Sequence, residues 1–83
     1  ISGDVPPRVA EELLQLAKKV GVIAEHGVAL PLEPTRQDLA VSVGIDVSAV
    51  NHYLRILAAQ GIIQLSRVTA TILEPDALEQ IAK

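Results

Sequence analysis

The sequence predicts a mainly helical α+β fold with a small β wing, and three observations carry that expectation. The stretch RQDLAVSVGIDVSAVNHYLRIL, residues 36–57, places Ala40, Gly44, Val50 and Leu54 where two short helices joined by a tight turn need them. Beyond Gly61, IIQLS and VTATIL alternate apolar with small or polar residues, the period of two of a half-buried strand. Ahead of both, VPPRVAEELLQLAKKVG repeats Ala10, Leu13, Leu14 and Ala17 at helical spacing.

Composition sets the limits. A chain of 83 residues is one domain, 1–83, because at this size only about 60–65% of the unfolded surface is buried and there is no room for a second core. That core must be aliphatic: 49% of the residues are hydrophobic, yet Tyr53 is the sole aromatic and Phe, Trp, Met and Cys are absent. A chain without methionine that opens ISGDVPP reads as a domain trimmed from a longer protein. The lack of cysteine excludes disulfides and thiolate metal sites and fits a reducing cytoplasm. No apolar run approaches the roughly 20 residues of a membrane span, so no membrane partner is expected. The net charge of -3 is unevenly spread. Residues 35–72 carry Arg36, Arg55 and Arg67 against Asp38 and Asp46, and are the one segment that is not acidic.

Taken in order, Pro6 and Pro7 suit the start of a first helix, Lys18 and Lys19 complement its C-terminal dipole, and Gly21 stops it. Its other face, Arg8, Glu11, Gln15 and Lys18, reads as solvated surface. A His26-Gly27 turn then precedes Val28 to Leu32, an apolar run that reads as an edge strand ended by prolines. Thr35 is expected to cap a short second helix, with Asp38 completing a capping-box-like pair. Gly44 supplies the positive φ of the turn, and Asp46 caps a third helix, about 47–60, that Gly61 closes. On this helix Val50, Tyr53, Leu54, Leu57 and Ala58 form the inward stripe, which leaves Ser48, Asn51, His52 and Arg55 on the opposite face. The two alternating runs form a hairpin around Ser66 and Arg67, the wing. EPDALEQIAK supplies a last helix, with Leu78 and Ile81 turned to the core.

Helix, strand, helix, turn, helix, wing is the winged helix-turn-helix order. The RQDLA entry, the Gly44 turn, the LRILAAQGII exit and the ILEPDAL ending together resemble the C-terminal DNA-binding domain of the Crp/Fnr transcription regulators, over nearly the whole chain. The resemblance implies double-stranded DNA as partner, with the third helix in the major groove and the wing beside the backbone. It also implies a parent with an N-terminal sensory domain and a dimerisation helix, both absent from these residues. The parent would be a homodimer, and the isolated domain monomeric. No cofactor is expected in this fragment; a cyclic nucleotide or other effector belongs to the sensory domain. By position, Thr35, Arg36, Gln37, Arg55, Ser66 and Arg67 become candidates for phosphate contact. Val47, Ser48, Asn51 and His52 become candidates for reading bases.

The recognition segment departs from the family's common Ser-Arg-Glu-Thr-Val-Ser-Arg, since this chain has Asp-Val-Ser-Ala-Val-Asn-His at 46–52. Arg on guanine and Glu on cytosine are strong direct contacts, and Val47 and Ser48 make neither. Val47 can touch a thymine methyl, Asn51 can pair with adenine and His52 can donate to guanine. Two readings therefore stand: a DNA-binding domain with altered preference, or a winged-helix protein-interaction module that has lost DNA affinity. An enzyme is not expected, because His26 and His52 lie on different elements without carboxylate partners and no Gly-rich loop cradles phosphate. Single-stranded nucleic acid is disfavoured too, since Tyr53 falls on the inward stripe.

Overall fold

The computed structural model describes residues 4–83, which form α1 (Val5–Val20), β1 (Val22–Ile23), β2 (Val28–Pro31), α2 (Leu32–Val43), α3 (Val47–Ala59), β3 (Ile63–Leu65), β4 (Thr69–Ile72) and α4 (Pro75–Ala82). The strands make one antiparallel sheet in the order β1-β2-β4-β3. Helices and sheet share a single aliphatic core, in which Leu13 of α1, Leu30 of β2, Leu39 of α2, Val50 of α3 and Leu78 of α4 are fully buried. Non-directional burial of branched side chains is what holds the layers, at about 1.5–3 kcal/mol per fully buried Leu, Val or Ile.

The apolar spacing of α1 buries Val9, Ala10, Leu13 and Leu16 on one face, with Pro at its first positions and Lys18 and Lys19 in its last turn. Arg8 on the outer face donates from Nη2 to the Ser42 carbonyl at 3.1 Å and so ties α1 to the end of α2. The wing forms as its alternation requires, with Gln64 opposite Thr71 and Leu65 opposite Ala70.

Three expectations are corrected. β2 is not an edge strand: it lies between β1 and β4, pairing Val28 with Ile72 and Pro31 with Thr69. Pro31 is tolerated there because it is the last residue of the strand, where a missing N–H breaks no further ladder. The edge on that side is instead β1, a two-residue strand hairpinned onto β2 through Ala24–Gly27, where Ala24 N–H donates to the Gly27 carbonyl at 2.8 Å, and β3 forms the other edge. Lastly, α2 begins at Leu32, three residues ahead of Thr35, and has no side-chain cap. Pro34 falls within its first turn, where N–H groups have no intrahelical acceptor and none is lost. Thr35 is therefore an interior helical residue, buried at 1% exposure, and the Thr35–Asp38 capping pair does not form.

The junction of α2 and α3 follows the sequence closely. Gly44 has φ +79° and donates its N–H to the Ala40 carbonyl at 3.0 Å, a left-handed closure that a β-carbon would strain. Gly61 repeats this at φ +75° after α3.

Candidate nucleic-acid interface

The outward face of α3 is set by what its inward face buries. Val50, Leu54 and Leu57 enter the core, and 3.6 residues per turn then turn Ser48, His52 and Arg55 to the opposite side, where all three are exposed. Asp46 fixes the start of this face: its carboxylate accepts the Ala49 N–H at 2.8 Å, satisfying a donor that the first turn leaves free. Val47 stands on that turn at 36% exposure, an apolar side chain held at the surface. His52 meets the Tyr53 ring edge-on, with centroids 5.5 Å apart and planes at 69°. Tyr53 itself is half-buried and shares an apolar groove with Pro6, Val9, Ile56 and Ile81.

Asn51 lies on the flank of the polar face rather than at its centre. It is half-buried, because the N-terminal half of α2 crosses beside it. There Arg36 Nη1 donates to Asn51 Oδ1 at 3.1 Å, and Arg36 Nη2 forms an ion pair with Glu33 one turn back on α2. The guanidinium is thus held between a carboxylate and an amide, with its side chain 26% exposed and its Nε buried without a partner among the described residues. The Arg36 hydrogen bond, and then its charge, hold the Glu33 carboxyl below the usual carboxylate range.

The remaining candidates divide by exposure. Gln37 is exposed beside Arg36, whereas Thr35 points into the core, so burial removes its side chain from any surface contact. In the wing, Ser66 is spent on the turn itself. Its N–H donates to the Thr69 carbonyl at 2.9 Å, its Oγ accepts the Thr69 N–H at 3.0 Å, and the two hydroxyls lie 2.7 Å apart. Arg67 and Val68 occupy the exposed tip. Among the described residues neither Arg55 nor Arg67 has an acidic partner within salt-bridge distance.

Glu33 is the residue that sequence reasoning missed. Its signal was the three-residue spacing to Arg36, which juxtaposes side chains only if the helix already includes residue 33. A helix that starts at Thr35 leaves Glu33 outside it.

Residues 7–81 match the family model of the Crp-like helix-turn-helix domain. Over 80 residues the chain is 32% identical to the CRP-like cAMP-activated global transcriptional regulator of Mycobacterium tuberculosis, covering 96% of this chain and 36% of that protein. A CRP/FNR-family transcriptional regulator from Thermus thermophilus matches in structure with a TM-score of 0.82 at 26% identity, over 93% of this chain and 39% of the other. The imidazole-bound CO-dependent transcription factor CooA from Carboxydothermus hydrogenoformans shares the fold, with a TM-score of 0.81 at 23% identity over 98% of this chain and 38% of that one. The chain thus spans little more than a third of each relative's length. A capped α3 set behind a Gly44 turn, a hairpin wing, and a family match that takes in all four helices make this chain a member of the Crp-like helix-turn-helix domain family, a family of transcription regulators and not of enzymes.

Proposed function

We propose that the chain binds duplex DNA sequence-specifically, as the C-terminal domain of a Crp/Fnr-like bacterial transcription regulator working in the cytoplasm. The observation that carries this reading is the exposed face of α3, where Ser48, His52 and Arg55 stand clear of the core, while Asp46 caps the helix. In this reading α3 enters the major groove, Val47, Ser48 and His52 meet base edges, and Gln37, Arg55 and Arg67 meet phosphates. The parent acts as a homodimer on two half-sites, and an effector acts through a separate sensory domain. Relatives named as cAMP-activated and as CO-dependent support an effector of that general kind.

One observation favours a second reading, a protein-interaction module. Glu33 already neutralises Arg36, which leaves Arg55 and Arg67 as the unpaired cations of the α2–α3–wing surface among the described residues. Titration of the chain against a random duplex library at several salt concentrations separates the two. Phosphate contact gives a steep, linear fall of log affinity with log salt, and no binding at low salt leaves only the interaction module.

A further inference from the structure

The contact between Arg36 and Asn51 fixes which end of the Asn51 amide is free. A guanidinium carries N–H donors and no acceptor, so the Asn51 atom 3.1 Å from Arg36 Nη1 must be the carbonyl oxygen, whichever way the amide is drawn. Arg36 cannot turn away readily, because Glu33 holds its other terminal nitrogen. Among the described residues Asn51 Nδ2 has no hydrogen-bond partner, and it is not fully buried. The group that Asn51 offers to a ligand is therefore an NH₂ with two donors and no adjoining acceptor.

That matters because the familiar Asn contact to DNA is bidentate, with the oxygen accepting from adenine N6 while the nitrogen donates to N7. Here the oxygen faces α2. Guanine presents two acceptors, N7 and O6, and thymine presents O4, so these edges satisfy a donor-only side chain, whereas adenine sets its own N6 donor beside N7. We propose that Asn51 determines specificity by reading an acceptor edge of guanine or thymine as a pure donor, with Arg36 as the positioning residue that excludes adenine. This rests on the duplex-binding reading above.

The test is selection from a randomised duplex library with the 83-residue chain and two variants, each checked by circular dichroism and thermal melting. Asn51→Asp keeps an acceptor for Arg36, and hence the local fold, but loses the donor at neutral pH. Arg36→Ala frees the Asn51 oxygen. The wild-type chain is expected to favour guanine or thymine over adenine at one position of its site by about fivefold or more, the effect of one direct contact. Asn51→Asp should erase that preference and leave the other positions unchanged, and Arg36→Ala should admit adenine there. Whichever of guanine and thymine is enriched identifies the edge read. The added charge of Asn51→Asp lowers affinity for every duplex, so the selected sequence and not the overall affinity is the readout: the proposal is overturned if the position that Asn51→Asp alters is an adenine in the wild-type site, or if Asn51→Asp selects unchanged sequences. Should Arg36→Ala bind too weakly to select, Asn51→Asp decides alone. Absence of salt-dependent binding by the wild-type chain removes the duplex-binding reading itself, and this proposal with it.

Discussion

The carboxylate of Asp46 accepts the Ala49 N–H at 2.8 Å and thereby anchors the turn of α3 that carries Val47 and Ser48. A cap of this kind is worth about 1 kcal/mol against alanine. Asp46→Ala should lower stability by that amount in urea titration, while Asp46→Ser, which restores a capping oxygen, should recover most of it. Asp46→Ser should also tighten DNA binding at low salt, since it removes a negative charge from the end of the helix proposed to approach phosphate. An Asp46→Ala chain as stable as wild type would show the cap to be idle.

If α2 approaches the DNA backbone, Glu33 competes with phosphate for the Arg36 guanidinium that it holds. Glu33→Gln should raise affinity for all duplex sequences and steepen the salt dependence by up to about 0.9, the increment of one added phosphate contact. Acid stability gives an independent check. Arg36 holds the Glu33 carboxyl below its ordinary range, so its contribution to folding is present above the unfolded carboxylate value and is lost as pH falls through the depressed folded value. In Glu33→Gln that part of the acid destabilisation should be missing, as measured by urea midpoints compared between about pH 7 and about pH 3.

Thr35 is 1% exposed, and among the described residues its Oγ1 has no hydrogen-bond partner. Replacing a buried, unsatisfied hydroxyl by a methyl group of the same shape removes a desolvation cost of about 1–3 kcal/mol. Thr35→Val should therefore raise the melting temperature, against a small helix-propensity difference between two β-branched residues. A fall in Tm would mean that the hydroxyl has a partner in solution.

Arg55 and Arg67 are expected to act on phosphates. Alanine at either should weaken random and selected duplexes equally and reduce the magnitude of the salt slope by about 0.9. Both are exposed, so stability should stay within about 0.5 kcal/mol. A change in the selected sequence on Arg55→Ala would instead place that side chain on a base.

What could be read in the sequence was whatever announces itself locally. The helical spacing of Leu13 with Ala10 and Ala17, the alternation on either side of Arg67, and the two glycines with positive φ each carry their own signal, and α1, the wing and the α2–α3 turn follow from them. The rest depends on partners distant in the chain. Val22 and Ile23 are too few to show a period, and the internal position of β2 is decided by β4. Pro34 reads locally as the end of a strand, which makes Thr35 a cap and parts Glu33 from Arg36, yet the first turn of a helix accepts proline and α2 begins at Leu32. On the polar face of α3 the periodicity located Ser48, His52 and Arg55. It could not show that Asn51 is claimed by a side chain from the preceding helix.

The pairing of Pro31 with Thr69 has a consequence for how the molecule comes apart. Residues 32 to 68, which carry α2, α3, β3 and the wing tip, are enclosed by that rung, and Leu32 N–H donates to the Val68 carbonyl at 2.9 Å to close it. Closing so long a loop carries an entropy that neither helix repays alone, so the rung and the helices must form in the same cooperative step. Amide protons in α2, α3 and the β2–β4 ladder should therefore exchange through one common opening, and a peptide limited to residues 32–60 should be largely unstructured in water.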